Sequence, residues 1–275
     1  MEQDIMQKVM DEVMKRLGSG STVVTPEKAT QEKEKCETPN VSVQKSVVGV
    51  TEYVGISEGD TIGLVVANVE PMLHEKLGID KKFRSVGIFS GRTGAGPQIM
   101  AADEAVKATN TEIVSIELPR DTKGGAGHGS LIIFGAEDVS DARRAIEVAL
   151  KDLRRTFGDV YANDAGHLEF QYTARASYAC NKAFNAPVGR AFGLIVGAPA
   201  GIGFVMSDAA LKAAEIDLID YLSPTKGLSL TNEVVITFTG DSGAVRQALI
   251  AARMIGKKLL GAMGAEPKSA TTPYI

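Results

Sequence analysis

The residues whose types could do chemistry are three histidines, two cysteines and several glycine-rich turns. His74, His128 and His167 have no second ligand at metal-binding spacing, and neither HExxH nor GxSxG occurs. His128 stands two residues before Ser130 in GGAGHGS, a base and a hydroxyl in one loop. The matching loop further along the chain, KGLSLTN, has no histidine, and its serine does not stand at the matching position, so His128 reads as a solvent-facing loop side chain. Cys36 and Cys180 are too few for a disulfide framework, a CxxC pair or a thiolate zinc cluster. No isolated carboxylate pair reads as an acid/base couple. No catalytic residue, cofactor or metal is expected.

The segment SGRTGAGPQ carries a nucleotide signal, because Gly91, Gly94 and Gly96 would let the backbone approach a phosphate at the start of a helix. Ile99 stands where the dinucleotide fingerprint needs its third glycine, and no Gly-Lys-Ser/Thr follows. A nucleotide-dependent α/β enzyme using residues 91–96 is the alternative reading. The main reading is a tight strand-to-helix turn, because GAPAGIG occupies the same place later in the chain. Two loops remain, PRDTKGGAGHGS from Pro119 to Ser130 and SPTKGLSLTN from Ser223 to Asn232. Glycines there remove side-chain bulk and allow loops from neighbouring copies to approach closely, as an axial constriction requires. Ordinary surface loops are the plain alternative.

The elements that hold these loops repeat. At an offset of 106, Lys76, Arg84, Gly87, Gly91 and Met100 meet Lys182, Arg190, Gly193, Gly197 and Met206. At 105, Asp103, Lys107 and Pro119 meet Asp208, Lys212 and Pro224; at 103, Thr122, Lys123, Gly124 and Asp138 meet Thr225, Lys226, Gly227 and Asp241. The expected domains are 47–159 and 160–275, the second ending in a short tail. In the first copy, strands are predicted at 62–67, 86–90, 113–117 and 131–135, and helices at 71–77, 98–109 and 140–155. Ala142, Ala145, Ile146, Ala149, Leu150 and Leu153 form a narrow apolar stripe on the long helix. Because the 119–130 connection holds no helix, the fold class is α+β, a sheet with helices on one side.

Residues 1–46 differ. Ile5, Val9, Val13 and Leu17 share a helical face with Met6, Met10 and Met14, and Gly18 follows. From Gly18 to Ser46 the chain is polar and aperiodic, a flexible linker. The helix has two readings, one folded back on its own core and one docked in a partner's groove. Composition narrows the rest: 44% apolar residues suffice for two cores, and a net charge of −4 without a basic run argues against nucleic-acid binding. Absence of a roughly 20-residue apolar run argues against a membrane span, and the cysteine usage fits a reducing cytoplasm.

DEAVKATNTEIV (Asp103–Val114) and AEDVSDARRAIEVAL (Ala136–Leu150), repeated as DAALKAAEIDLI (Asp208–Ile219) and TGDSGAVRQALIAA (Thr239–Ala252), resemble the bacterial microcompartment shell domain. The strand and helix ahead of each core resemble its circularly permuted form, and the whole chain resembles tandem-domain shell proteins of propanediol-utilisation microcompartments. The resemblance implies two permuted shell domains in a non-enzymatic homotrimer, a pseudohexameric tile that packs edge to edge with other shell proteins in the cytoplasm. It also implies an axial pore for small diols or alcohols lined by the two loops, with Thr122, Lys123, Gly124, Gly125, Gly127 and His128 from the first and Thr225, Lys226, Gly227, Ser229 and Thr231 from the second; alternatively the axis is shut and the diol is held in a pocket between the two copies. Lys107 and Lys212 take the place of the family's tile-edge lysine, acting between tiles rather than within the fold. Arg175 offers an edge arginine in the second copy, where the first has Val69 at the 106 offset. The segment carrying Ile5, Val9, Val13 and Leu17 resembles peptides that tie cargo enzymes to such shells.

Overall fold

The structure, a computed structural model, describes residues 49–119, 129–225 and 231–275. The expected helix at the N-terminus and its linker lie outside the described residues. The first half opens with a hairpin, β1 (Tyr53–Ser57) and β2 (Thr61–Val66), closed through Gly59 and Asp60, both at positive φ. Helix α1 (Pro71–Leu77), β3 (Ser85–Gly91), α2 (Gly96–Ala108), β4 (Glu112–Glu117), β5 (Ser130–Ala136) and α3 (Val139–Thr156) follow. The second half runs β6 (Val160–Asn163), β7 (Gly166–Thr173), α4 (Tyr178–Phe184), β8 (Ala191–Ala198), α5 (Ala200–Ala213), β9 (Ile216–Leu222), β10 (Val234–Gly240), α6 (Ser242–Gly261) and β11 (Lys268–Ser269).

Both sheets are antiparallel, in the orders β1-β2-β3-β5-β4 and β11-β6-β7-β8-β10-β9. The repeat reaches into their irregularities: β4 bulges at Val114 and β9 at Ile219, each against the matching point of its partner strand. On one face of the first sheet, α2 and α3 bury Phe89, Phe134, Ala145, Ile146, Ala149 and Leu153. Gly63 and Gly87 let α3 lie that close, because a Cβ at either would run into Ile146. The second sheet repeats this with Phe170, Ile195, Phe238, Ala248 and Leu249 under α5 and α6.

The short helices show the repeat at the level of caps. Glu70 caps α1 by accepting from the Met72 and Leu73 amides, and Gly78 ends it at φ 62. Ser177 caps α4 by accepting from Ala179 N, and Asn185 ends it at φ 56. Val69 N donates to Arg84 O, as Ala176 N donates to Arg190 O. The two helices therefore correspond at an offset of 107, not 106. Arg175 falls opposite Asn68 rather than Val69, and Asn181 rather than Cys180 opposite His74.

The tail after α6 closes the seam between the halves. The buried Asp159 carboxylate accepts from Tyr274 N and Ile275 N, at 2.8 and 3.0 Å, and from Arg253 Nη1. Ser269 Oγ donates to Gly158 O, and the Arg155 guanidinium lies over the Tyr274 ring. Both halves belong to one compact unit, Val47–Ile275.

Candidate functional site

Within that unit the halves meet where α2 of the first lies across α4 and the second sheet. Met100 is buried among Ala176, Cys180, Phe192, Leu194 and Val235, so the second sheet is covered by its own helices on one face and by α2 and α4 on the other. At the polar end of this joint the fully buried Asp103 faces the cap of α4: its Oδ1 accepts from Ser177 N at 2.8 Å and from Ser177 Oγ at 2.5 Å. A serine cap serves both sides, its oxygen accepting from the helix while its proton goes to the carboxylate.

Lys107 belongs to the same joint. Its Nζ lies 2.6 Å from Asp103 Oδ2 and 2.8 Å from Glu104, and donates to Thr173 Oγ1 of the second half at 3.2 Å. The expectation that this lysine does nothing within the fold is therefore corrected: it neutralises the buried Asp103 carboxylate, which would otherwise have the Ser177 hydrogen bonds but no counter-charge. Lys212, its repeat, pairs with Asp208 at 2.7 Å but leaves three quarters of its side chain exposed. Arg175 is exposed in the turn between β7 and α4, where Thr173 Oγ1 accepts from its amide.

The covering helices find no counterpart at the other end of the repeat. The helices α2 and α5 end at Ala108 and Ala213, an offset of 105 that sets Met100 opposite Val205 and not Met206; on α5, Phe204 and Val205 are 59% and 42% exposed, whereas Ile99 and Met100 on α2 are buried. On α1, Met72 and Leu73 are 74% and 53% exposed, whereas Ala179 and Cys180 on α4 are buried. Ile88 and Leu131 on the first sheet are half-buried where Leu194 and Val235 on the second are covered. The chain thus carries one completed joint and the two unmatched halves of another.

The glycine-rich loops hang from matching strand ends. The first leaves β4 and re-enters at β5, where Gly129 N donates to Pro119 O; the second joins β9 to β10. Thr122, Lys123, Gly124, Gly125, Gly127, His128, Lys226, Gly227 and Ser229 lie outside the described residues. Of the expected lining, Thr225 is exposed and Thr231 half-buried at the ends of the second loop. Thr231 borders a small recess of about 160 Å³ with Gly166, His167, Pro199, Asn232 and Glu233.

Behind that recess lies a cluster the sequence reading missed. His167 Nε2 stands 3.3 Å from Glu233 Oε2, and Glu169, two residues along the same strand face, is buried. Burial first, and the Glu233 charge second, push the Glu169 carboxyl up to about 8; the Gln171 amide beside it acts in the opposite direction. The signal was the alternation His167, Glu169, Gln171, Thr173 in HLEFQYT, a polar face on a strand flanked by core residues. That face meets the start of α2 instead of solvent.

Glu169 also decides the nucleotide reading. Its carboxylate lies against Gly96, and Gln98 fills the space beside Gly91. The glycines of SGRTGAGPQ accommodate the protein's own side chains, and the Glu169 side chain fills the space a phosphate would occupy. Among the described residues no group of His, Cys, Asp or Glu is arranged to hold a metal ion, and no helix is long and apolar enough to cross a membrane.

Comparison with known proteins agrees with this geometry. The BMC domain model matches residues 85–164 and 191–266, opening each time at the strand before the glycine turn. The chain is 57% identical to the bacterial microcompartment shell protein PduB of Citrobacter freundii, over 99% of this chain and 98% of that protein. It is 55% identical to the PduB of Salmonella typhimurium with the same coverage. A crystal structure of a trimeric bacterial microcompartment shell protein PduB superposes with a TM-score of 0.79 at 56% identity, covering 82% of this chain and all of that one.

Proposed function

This chain belongs to the bacterial microcompartment (BMC) domain family, and from that membership we propose that three copies close into one six-lobed tile of a microcompartment shell. Its role is structural and it is not an enzyme. The observation that carries the trimer is the unmatched pair of faces: α5 of one chain covers α1 and the first sheet of the next, as α2 covers α4 and the second sheet within the chain. Only a closed ring leaves neither face open, and two lobes per chain make three chains a six-sided ring. Light scattering on the purified protein tests this. A trimer has three times the 29.0 kDa chain mass, and a monomer at micromolar concentration would overturn the reading.

The finer assignments rest on the same tile. Lys212, with its long exposed stem, and Lys107, with the quarter of its side chain left outside the joint, lie on the tile edge with Arg175 and meet neighbouring shell proteins. The loops 119–130 and 223–232 surround the axis, with Lys123, His128, Ser229 and Thr231 among their polar groups. A diol replaces the water it displaces there with its own hydroxyls, whereas an aldehyde brings one acceptor and no donor. The N-terminal segment, with Ile5, Val9, Val13 and Leu17, ties cargo enzymes to the shell. Deleting residues 1–40 tests this last assignment: the trimer persists and the enzymes are lost from the shell, while retained enzymes would overturn it.

A further inference from the structure

The repeat allows the joint between chains to be read residue by residue, on the premise that the tile is a trimer closed by α5 and α1. Asp208 matches Asp103, and Glu70 matches Ser177 as the cap of its helix. Inside the chain, Ser177 Oγ accepts from Ala179 N at 3.3 Å and donates to Asp103 Oδ1 at 2.5 Å. In the first half the oxygen that caps the corresponding amide, Met72 N, is Glu70 Oε2, at 2.7 Å. A carboxylate oxygen has no proton to give, so an Asp208 placed as Asp103 is placed keeps a backbone donor, Glu70 N in the place of Ser177 N, but meets a side-chain acceptor where Asp103 meets a hydroxyl donor. The surroundings weaken this joint further. Lys107 is held by Asp103, Glu104 and Thr173, whereas Lys212 has Asp208, with Ala209 in place of Glu104 and Val66 in place of Thr173. Lys212 offsets one of the two negative charges but not the mismatch of two acceptors.

We propose that each joint between chains sets the Asp208 carboxylate against the Glu70 carboxylate of its neighbour, so that the tile is held less tightly between chains than within them and Glu70 is the residue that limits its strength. The partner here is a second copy of this chain.

The test copies the inner joint onto the outer one. Glu70→Ser keeps a good helix cap and supplies the missing hydroxyl. Asp208→Ala and the double variant complete the cycle; both positions are exposed in the single chain, and circular dichroism checks that the fold is kept. Light scattering against protein concentration, at a fixed urea level where the parent trimer is half dissociated, reads the joint. Glu70→Ser lowers the concentration needed for half-assembly at least tenfold, the scale of a single hydroxyl-to-carboxylate bond. Asp208→Ala reverses that gain in the Glu70→Ser background and changes the parent less than about threefold. Equal or weaker assembly of Glu70→Ser, or the same loss from Asp208→Ala in both backgrounds, would overturn the inference. A parent that forms no trimer without urea would instead overturn the reading on which it rests.

Discussion

The Glu169 carboxylate of the second half lies against the Cα of Gly96, at the start of α2 in the first half, with no room between them for a methyl group. A buried acid and a glycine are thus one packing unit joining the two repeats. Gly96→Ala will therefore destabilise the chain by about 1–3 kcal/mol, the usual effect of overpacking. Removing the opposing side chain in Gly96→Ala/Glu169→Ala will recover part of that loss. Urea unfolding of the two variants and of Glu169→Ala alone checks this, and additive losses would show that the pair is not coupled.

Glu169 also predicts a dependence of stability on pH. Its carboxyl is raised from 4.5 to about 8 in the folded chain. Between these values the unfolded chain has released the proton that the folded chain keeps, so this contribution is full below about 4.5 and is lost as pH rises through about 8. The urea midpoint will fall from pH 5 to pH 8, and Glu169→Gln will flatten that part of the profile. A parent and variant with parallel profiles would contradict the assignment.

The α5 face predicts assembly without folding. Phe204 is exposed in the single chain, so Phe204→Asp leaves the fold of the chain intact by circular dichroism while removing apolar contact from the joint, and its melting temperature falls only by what association contributes. Light scattering will show monomers for this variant at concentrations where the parent is trimeric. A trimeric variant would place the joint elsewhere.

Lys212 predicts the next level of assembly. Its pair with Asp208 is exposed and contributes little to folding, about 0–1 kcal/mol. Lys212→Asp will abolish sheets of tiles in negative stain, and because Lys212 offsets one of the two carboxylates at the joint between chains it will also raise the concentration needed to form trimers. Lys107→Asp differs, because it sets a third acid beside Asp103 and Glu104 in the inner joint, and it will lower the melting temperature as well.

Much of this architecture was legible because the chain states it twice. The predicted 71–77 helix coincides with α1, and the 140–155 helix lies within one residue of α3 at each end, its stripe anchored by Ala142, Ile146 and Leu153. Strand β1 went unread because Tyr53–Ser57 is half-exposed and lacks a strict alternation; it is held by pairing with β2 and by Ser57 donating to Leu150 O across 93 residues. The one-residue error in matching α1 to α4 came from aligning Lys76 with Lys182, two surface side chains, when caps and bulges carry the register. The Glu169 and Glu233 pair was invisible for a different reason. The two acids are 64 residues apart in the chain and meet only because β7 and β10 both flank β8.

Electron micrographs of the purified chain, classified in two dimensions, test the central claim most directly. A closed ring of three chains gives flat particles with six lobes and three-fold symmetry, in which lobes alternate because the two repeats differ. Particles with two-fold symmetry, or single two-lobed chains at assembly concentrations, would contradict it.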